Sequence, residues 1–228
     1  MDETPTDLDA LVGRVDPDRW LSSRFVADAS ARADIIALYA LDHELARAPR
    51  VASNALLGEI RLTWWHEVLD EIFGGKRVRQ HPTALALQVA VQGRALERDL
   101  LQAMIDARFR ELDATPMTLA EALDWSENTG GAVAVLAAQI LDPGARPEAA
   151  RAGGAAWSIG QLMGTAGLTG PEAQAALKLA LSQARGLSVE AFPAIAHATL
   201  ARQRARGMRP GALTSRLRVF GAVLSGRV

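Results

Sequence analysis

The chain has 228 residues, 49 % of them hydrophobic and 22 % charged, which suffices for one large packed domain and excludes global disorder. It contains no Cys, so disulfides, thiolate metal sites and a cysteine nucleophile are excluded. The 25 Lys and Arg nearly balance the 26 Asp and Glu, giving a formal net charge of -1, but the charge is unevenly distributed.

Asp2, Glu3, Asp7, Asp9, Asp16 and Asp18 make residues 1–18 an acidic, partly flexible N-terminal segment, ahead of a single helical domain over 19–228. This start does not resemble a secretory or Arg-rich transit peptide, and the longest apolar run, GGAVAVLAAQIL, is too short to span a bilayer. A cytoplasmic chain, peripheral to the inner membrane, is expected.

Helical periodicity dominates, and strand-like alternation bounded by turn residues is hard to find, so the fold class is all-α. In chain order, helices are predicted over residues 24–47, 54–73, 82–112, 119–141, 147–168, 172–185, 189–206 and 212–225. Pro49 is expected to stop the first, Gly74 and Gly75 the second, and Pro143 with Gly144 the fourth, while Pro82 opens the third. Thr118 followed by Glu121 is a capping-box pattern. In the second helix Leu57, Ile60, Trp64, Val68 and Ile72 form an apolar stripe, widened by Leu56, Trp65 and Leu69. Its polar flank carries Glu59, Glu67, Asp70 and Glu71, and the apolar side is expected to be largely buried.

The run IIALYALDHELARAPRVASNALLGEIRLTWWHEVLDEIFGGKRVRQHP resembles the squalene/phytoene synthase family, with its LYA-type helix, LxWW helix, Gly turn and His-Pro. WSENTGGAVAVLAAQILDPG at 125–144 and AAWSIGQLMGTAGLTG at 155–170, with Gly160, Gln161 and Leu162, resemble two further segments of that family. The resemblance implies an isoprenoid synthase-like helical bundle. It also implies an ancestral activity in isoprenoid biosynthesis, joining two prenyl diphosphates with Mg²⁺ held by aspartates on two facing helices.

Counted without gaps from Tyr39, the first three aspartates of active members fall at Ala46, Arg47 and Arg50. After Gln161 and Leu162, the second set meets Met163, Gly164, Thr165, Ala166, Gly167 and Leu168, with no Asp before Glu172. Arginine where a cation must sit is repulsive by about 4 kcal/mol at 4 Å and an effective dielectric of 20. A pseudoenzyme without a cofactor is therefore expected.

The chain particularly resembles the non-catalytic branch of the family that serves respiratory complex I assembly. The residues behind that likeness are Glu44-Leu45-Ala46, then Gly58, Arg61 and Trp65, then Glu127-Asn128-Thr129. The implied partner is a respiratory-complex subunit or assembly protein. Two alternatives stand beside it: a Mg²⁺-dependent prenyl-diphosphate transferase using Asp42, Glu44, Glu121 or Glu127, and a carrier of an isoprenoid lipid. Tyr39, Asp42, Glu44, Trp65, Glu127 and Asn128 are the residues expected at a central cavity.

Other polar clusters read as structure. Asp42, His43 and Glu44 point about 100° apart on a helix and cannot chelate one ion alone. Glu67, Asp70 and Glu71, near His66, read as a solvated flank, and in the series Glu121, Asp124, Glu127 the first residue is a cap. Ser126, Thr129 and Ser158 have no identifiable base, and His81 and His197 stand isolated in sequence. The small residues Gly130, Gly131, Ala132 and Gly153, Gly154, Ala155, Ala156 permit close helix approach, closing a cavity or lining a channel. Arg202, Arg204, Arg206, Arg209, Arg216, Arg218 and Arg227 all follow the last acid, Glu190, and suit an anionic membrane surface or an acidic protein. Nucleic acid is not expected, since no aromatics are interleaved with them.

Overall fold

The computed structural model describes residues 7–51 and 54–228, with nothing of the Val51 side chain; Asp2 and Glu3 lie outside that range. Among the described residues the secondary structure is entirely helical. The bundle comprises α1 Leu8–Val15, α2 Pro17–Ser23, α3 Ala29–Val51, α4 Ala55–Phe73, α5 Pro82–Arg94 and α6 Arg98–Phe109. It continues through α7 Leu119–Ser126, α8 Ala132–Leu141, α9 Pro147–Thr165, α10 Pro171–Gln183, α11 Ala201–Arg204 and α12 Ala212–Ser225.

Helix α3 is central because its middle is apolar all round: Ile35 to Leu41 are each 4 % exposed or less. It packs against α1, α4, α5, α6 and α8. Helix α8, AVAVLAAQIL, is similarly buried on every side except around Gln139 and Leu141. The helix α3 does not stop at Pro49 as expected; Pro49 lies inside its last turn, where buried Ala48 fixes the backbone against the core.

Of the acidic start, expected to be partly flexible, residues 7–18 are described. From Asp7 onward it folds, with Asp7 capping α1 through bonds from the amides of Asp9 and Ala10. Asp16 caps α2, which Pro17 opens. Val12 on α1 is fully buried and α1 packs on α3, so the carboxylates are helix caps and ion-pair partners rather than a solvated tail.

The 82–112 helix is two helices, because Ala95 takes a left-handed φ of 50° and closes α5 before α6 begins. The 189–206 helix is instead a pair of 3-10 turns, Phe192–Ala194 and Ala196–Leu200, followed by α11. Pro193 removes an amide donor there, and Ala191 to Ala198 are buried, so packing overrides helical periodicity. In α4 the buried face is Gly58, Leu62, Trp65, Val68, Leu69 and Ile72, whereas Leu56, Leu57 and Ile60 are 62 %, 41 % and 54 % exposed. The reason is local: Gly58, having no side chain, turns inward against Leu112, where a Cβ would collide.

Between α7 and α8 the helix widens into a π turn at Glu127–Gly131. Ser126 Oγ, Asn128 Nδ2 and Thr129 Oγ1 donate to the carbonyls of Ala122, Asp124 and Trp125, four residues back in each case. The turn packs on α9 so closely that a Cβ on Gly130 would come within 2.7 Å of the Gly154 carbonyl. The two small-residue patches therefore join helices rather than line a channel.

Candidate functional site

The site grows from the start of α2. Asp16 accepts the Arg19 amide at 3.1 Å as a helix cap, and its other oxygen accepts Arg19 Nε at 2.5 Å. So held, Arg19 donates Nη2 to Asp42 on α3 at 2.6 Å. The second oxygen of Asp42 accepts Arg108 Nη2 from α6, also at 2.6 Å. Arg108 continues the chain to Glu111 at 2.6 Å, and Glu111 accepts the indole N–H of Trp125 at 3.2 Å. Burial alone would push the Asp42 carboxyl up, but the guanidiniums of Arg19 and Arg108 hold it well below the usual carboxylate range.

A second pair stands across from it. Asp18 accepts Arg204 Nε at 2.8 Å, and the Arg204 guanidinium lies 5.7 Å from the centre of the Trp157 ring. Burial raises the Asp18 carboxyl despite Arg204. Trp157 also meets His197 edge-on at 5.4 Å. His197 is buried, and burial followed by the positive field of Arg19 drives its imidazole well below its ordinary value.

All of these except Glu111 and His197 line a cavity of about 800 Å³. Its three carboxylates, Asp16, Asp18 and Asp42, each accept a guanidinium, and its further arginines are Arg50, Arg209 and Arg216. The lining thus carries six Arg against three Asp. Three buried donors of that lining stand without a partner: Arg19 Nη1, Arg108 Nε and the Tyr39 hydroxyl. Among the described residues no group of three or more His, Asp or Glu could hold a metal ion.

The sequence pattern of the family described as Squalene/phytoene synthase matches residues 12–169, more than half of the chain. The chain belongs to the squalene/phytoene synthase family. Two curated relatives carry the description "NADH dehydrogenase (ubiquinone) complex I, assembly factor 6". The one from Bos taurus is 29 % identical over 132 residues, covering 58 % of this chain and 39 % of its own. The one from Homo sapiens is 27 % identical over the same shares. The match thus spans well under half the length of those relatives. Among solved structures, a dehydrosqualene synthase in complex with ligand superposes with a TM-score of 0.75 at 12 % identity, over 96 % of this chain and 94 % of the other. The squalene synthase HpnC from Alicyclobacillus acidocaldarius gives a TM-score of 0.58 at 16 % identity, over 96 % and 92 %. These two likenesses establish the all-α isoprenoid synthase-like fold.

Three of the five degenerate site positions line the cavity: Ala46 and Arg50 on α3 and Gln161 on α9. Arg47 is exposed beside Glu44 at 3.3 Å, and Ala166 is exposed at the end of α9. Of the residues expected at a cavity, Tyr39 and Asp42 are there. Four are not. Glu44 turns to Arg47, and Trp65 is buried against Trp64 and His81 at ring distances of 4.9 and 5.3 Å. Glu127 is exposed, and Asn128 bonds back to Asp124, because the π turn rotates both away.

Sequence alone does not mark Arg19, Arg108, Arg204, Trp125 or Trp157 as site residues. Arg19 carried one signal, as the base directly after Asp16 and Asp18; the others stand 66 or more residues from the aspartates they serve or are aromatics without a polar motif.

Proposed function

We propose that this chain is a non-catalytic member of its family that binds a partner in the assembly of a respiratory NADH dehydrogenase. The observation that carries this reading is the state of Asp42. Each of its oxygens accepts a buried guanidinium, so the best-placed cavity carboxylate is already neutralised, and a hard cation brought to it would stand beside two positive charges. Ala46 and Arg50 stand where the resemblance puts metal-binding aspartates, and Asp16 and Asp18 are likewise engaged by arginine. These residues do not fit Mg²⁺. The role named for the two curated relatives supports the assembly half of the proposal.

The test is deletion of the coding sequence in its host, followed by native gels stained for NADH oxidation. Loss of the mature complex with accumulation of subassemblies, restored by the intact gene, is expected; a normal complex in the deletion strain overturns the proposal.

One observation favours a second reading, in which the cavity holds an isoprenoid lipid without reacting. The cavity keeps about 800 Å³ beside the unpartnered Tyr39 hydroxyl. Calorimetric titration with farnesyl thiodiphosphate separates the readings. Binding without Mg²⁺ supports a carrier, Mg²⁺-dependent binding supports a transferase, and no binding in either condition leaves the scaffold.

A further inference from the structure

Helix α12 is apolar on two opposite sides. Its inner face, Ser215, Val219 and Ala222, is buried against the bundle. Its outer face carries Leu213, Leu217, Phe220 and Leu224, which are 71 %, 63 %, 49 % and 72 % exposed. At 100° per residue these four fall within about 60° of one another, opposite the buried face, and the Phe220 ring also leans on Phe25 with centroids 6.3 Å apart. A continuous outward apolar stripe of this kind marks an interaction surface rather than scattered exposure.

Charge decides what covers it. No acid occurs between Glu190 and Val228, and Arg209, Arg216, Arg218 and Arg227 lie on or beside the helix. Arg202, Arg218 and Arg227 line one groove of about 360 Å³ together with Leu217, between α12 and the preceding 3-10 turn and α11. Three guanidiniums around one groove form a receptor for phosphate oxygens. A second copy of this chain would set arginine against arginine across the stripe, whereas an anionic bilayer presents phosphate and hydrocarbon together. No described helix is long and apolar enough to cross a membrane.

We propose that α12 rests in the plane of an anionic bilayer, with Leu213, Leu217, Phe220 and Leu224 entering the acyl boundary and the Arg202–Arg218–Arg227 groove taking a lipid phosphate. None of the four stripe residues lines the cavity, and the proposal does not depend on the assembly role.

The test is flotation of the full chain with phosphatidylcholine vesicles, with and without about one-third phosphatidylglycerol, at low and high salt. Binding is expected only with phosphatidylglycerol and is expected to weaken with salt. The double variant Leu217→Ser/Leu224→Ser should weaken it at least about tenfold, since two buried leucines are lost. Arg218→Glu/Arg227→Glu should weaken it by more than about 20-fold. All four positions are exposed, and matching thermal melts will show that the variants fold. Absence of binding to the anionic vesicles overturns the proposal, as does equal binding to neutral ones. A dimer in sedimentation velocity that the leucine variant dissolves, with no vesicle binding, would assign the stripe to a second copy and overturn it too.

Discussion

Asp42 on α3 and Arg108 on α6, 66 residues apart, meet at 2.6 Å with side chains only 5 % and 4 % exposed. Arg19 completes a guanidinium–carboxylate–guanidinium sandwich at the base of the cavity. An ion pair buried this deeply gives little net stability over an apolar trio, but breaking it strands a charge.

Asp42→Ala should therefore lower stability by about 3 to 5 kcal/mol in urea unfolding. The exposed pair of Arg98 with Asp70 should cost less than about 1 kcal/mol when broken. Equal losses from the two variants would show that the buried triad is not a structural keystone.

His197 predicts how stability depends on pH. Its folded pKa is lowered, so between that value and about 6.5 the unfolded chain binds the proton and the folded one does not. Its contribution is complete above about pH 6.5 and is lost as pH falls below that value. His43 and His81, also lowered by burial, act in the same direction. Thermal melts across this range should show the loss, and His197→Phe should reduce its slope without abolishing it.

The glycines give a matched pair. Gly154→Ala would drive a Cβ into the carbonyl of Gly130 and separate α9 from the π turn, at a cost of about 1 to 3 kcal/mol. Gly93, exposed inside α5 with nothing within 4 Å of where a methyl would stand, should instead gain about 0.5 to 1 kcal/mol as Ala. Chemical denaturation of the two variants should move in opposite directions.

Trp65→Ala should cost about 3 to 5 kcal/mol, because the ring is 4 % exposed and packed edge-on to Trp64 and His81. Trp64, partly exposed beneath Arg79, should cost less. The order of the two melting temperatures checks this.

The helical class and the capping box at Thr118 and Glu121 were legible because each depends on residues close in sequence. Helix α2 was not, since its seven residues are short and its acids suggested a tail; the partner of Asp18, Arg204, is visible only once the chain has folded, as is Arg108 for Asp42 on α3. The buried face of α4 was misjudged because hydrophobicity counted Leu56, Leu57 and Ile60 as interior, while the deciding residue was the one with no side chain, Gly58. Trp65, Glu127 and Asn128 fell outside the cavity for similar reasons, since close packing and a widened turn set their direction, and neither leaves a periodic trace.

Helix α12 also shapes the cavity from within. Ala212, Ser215 and Arg216 on it, with Arg204, Arg209 and Pro210 just before it, form one side of the cavity, yet all six lie beyond residue 169, where the family match ends. The chamber thus has one side within the matched segment and another beyond it. Two proteins sharing the first side can admit different occupants, and in this one any displacement of α12 by what touches its outer side also changes the room inside.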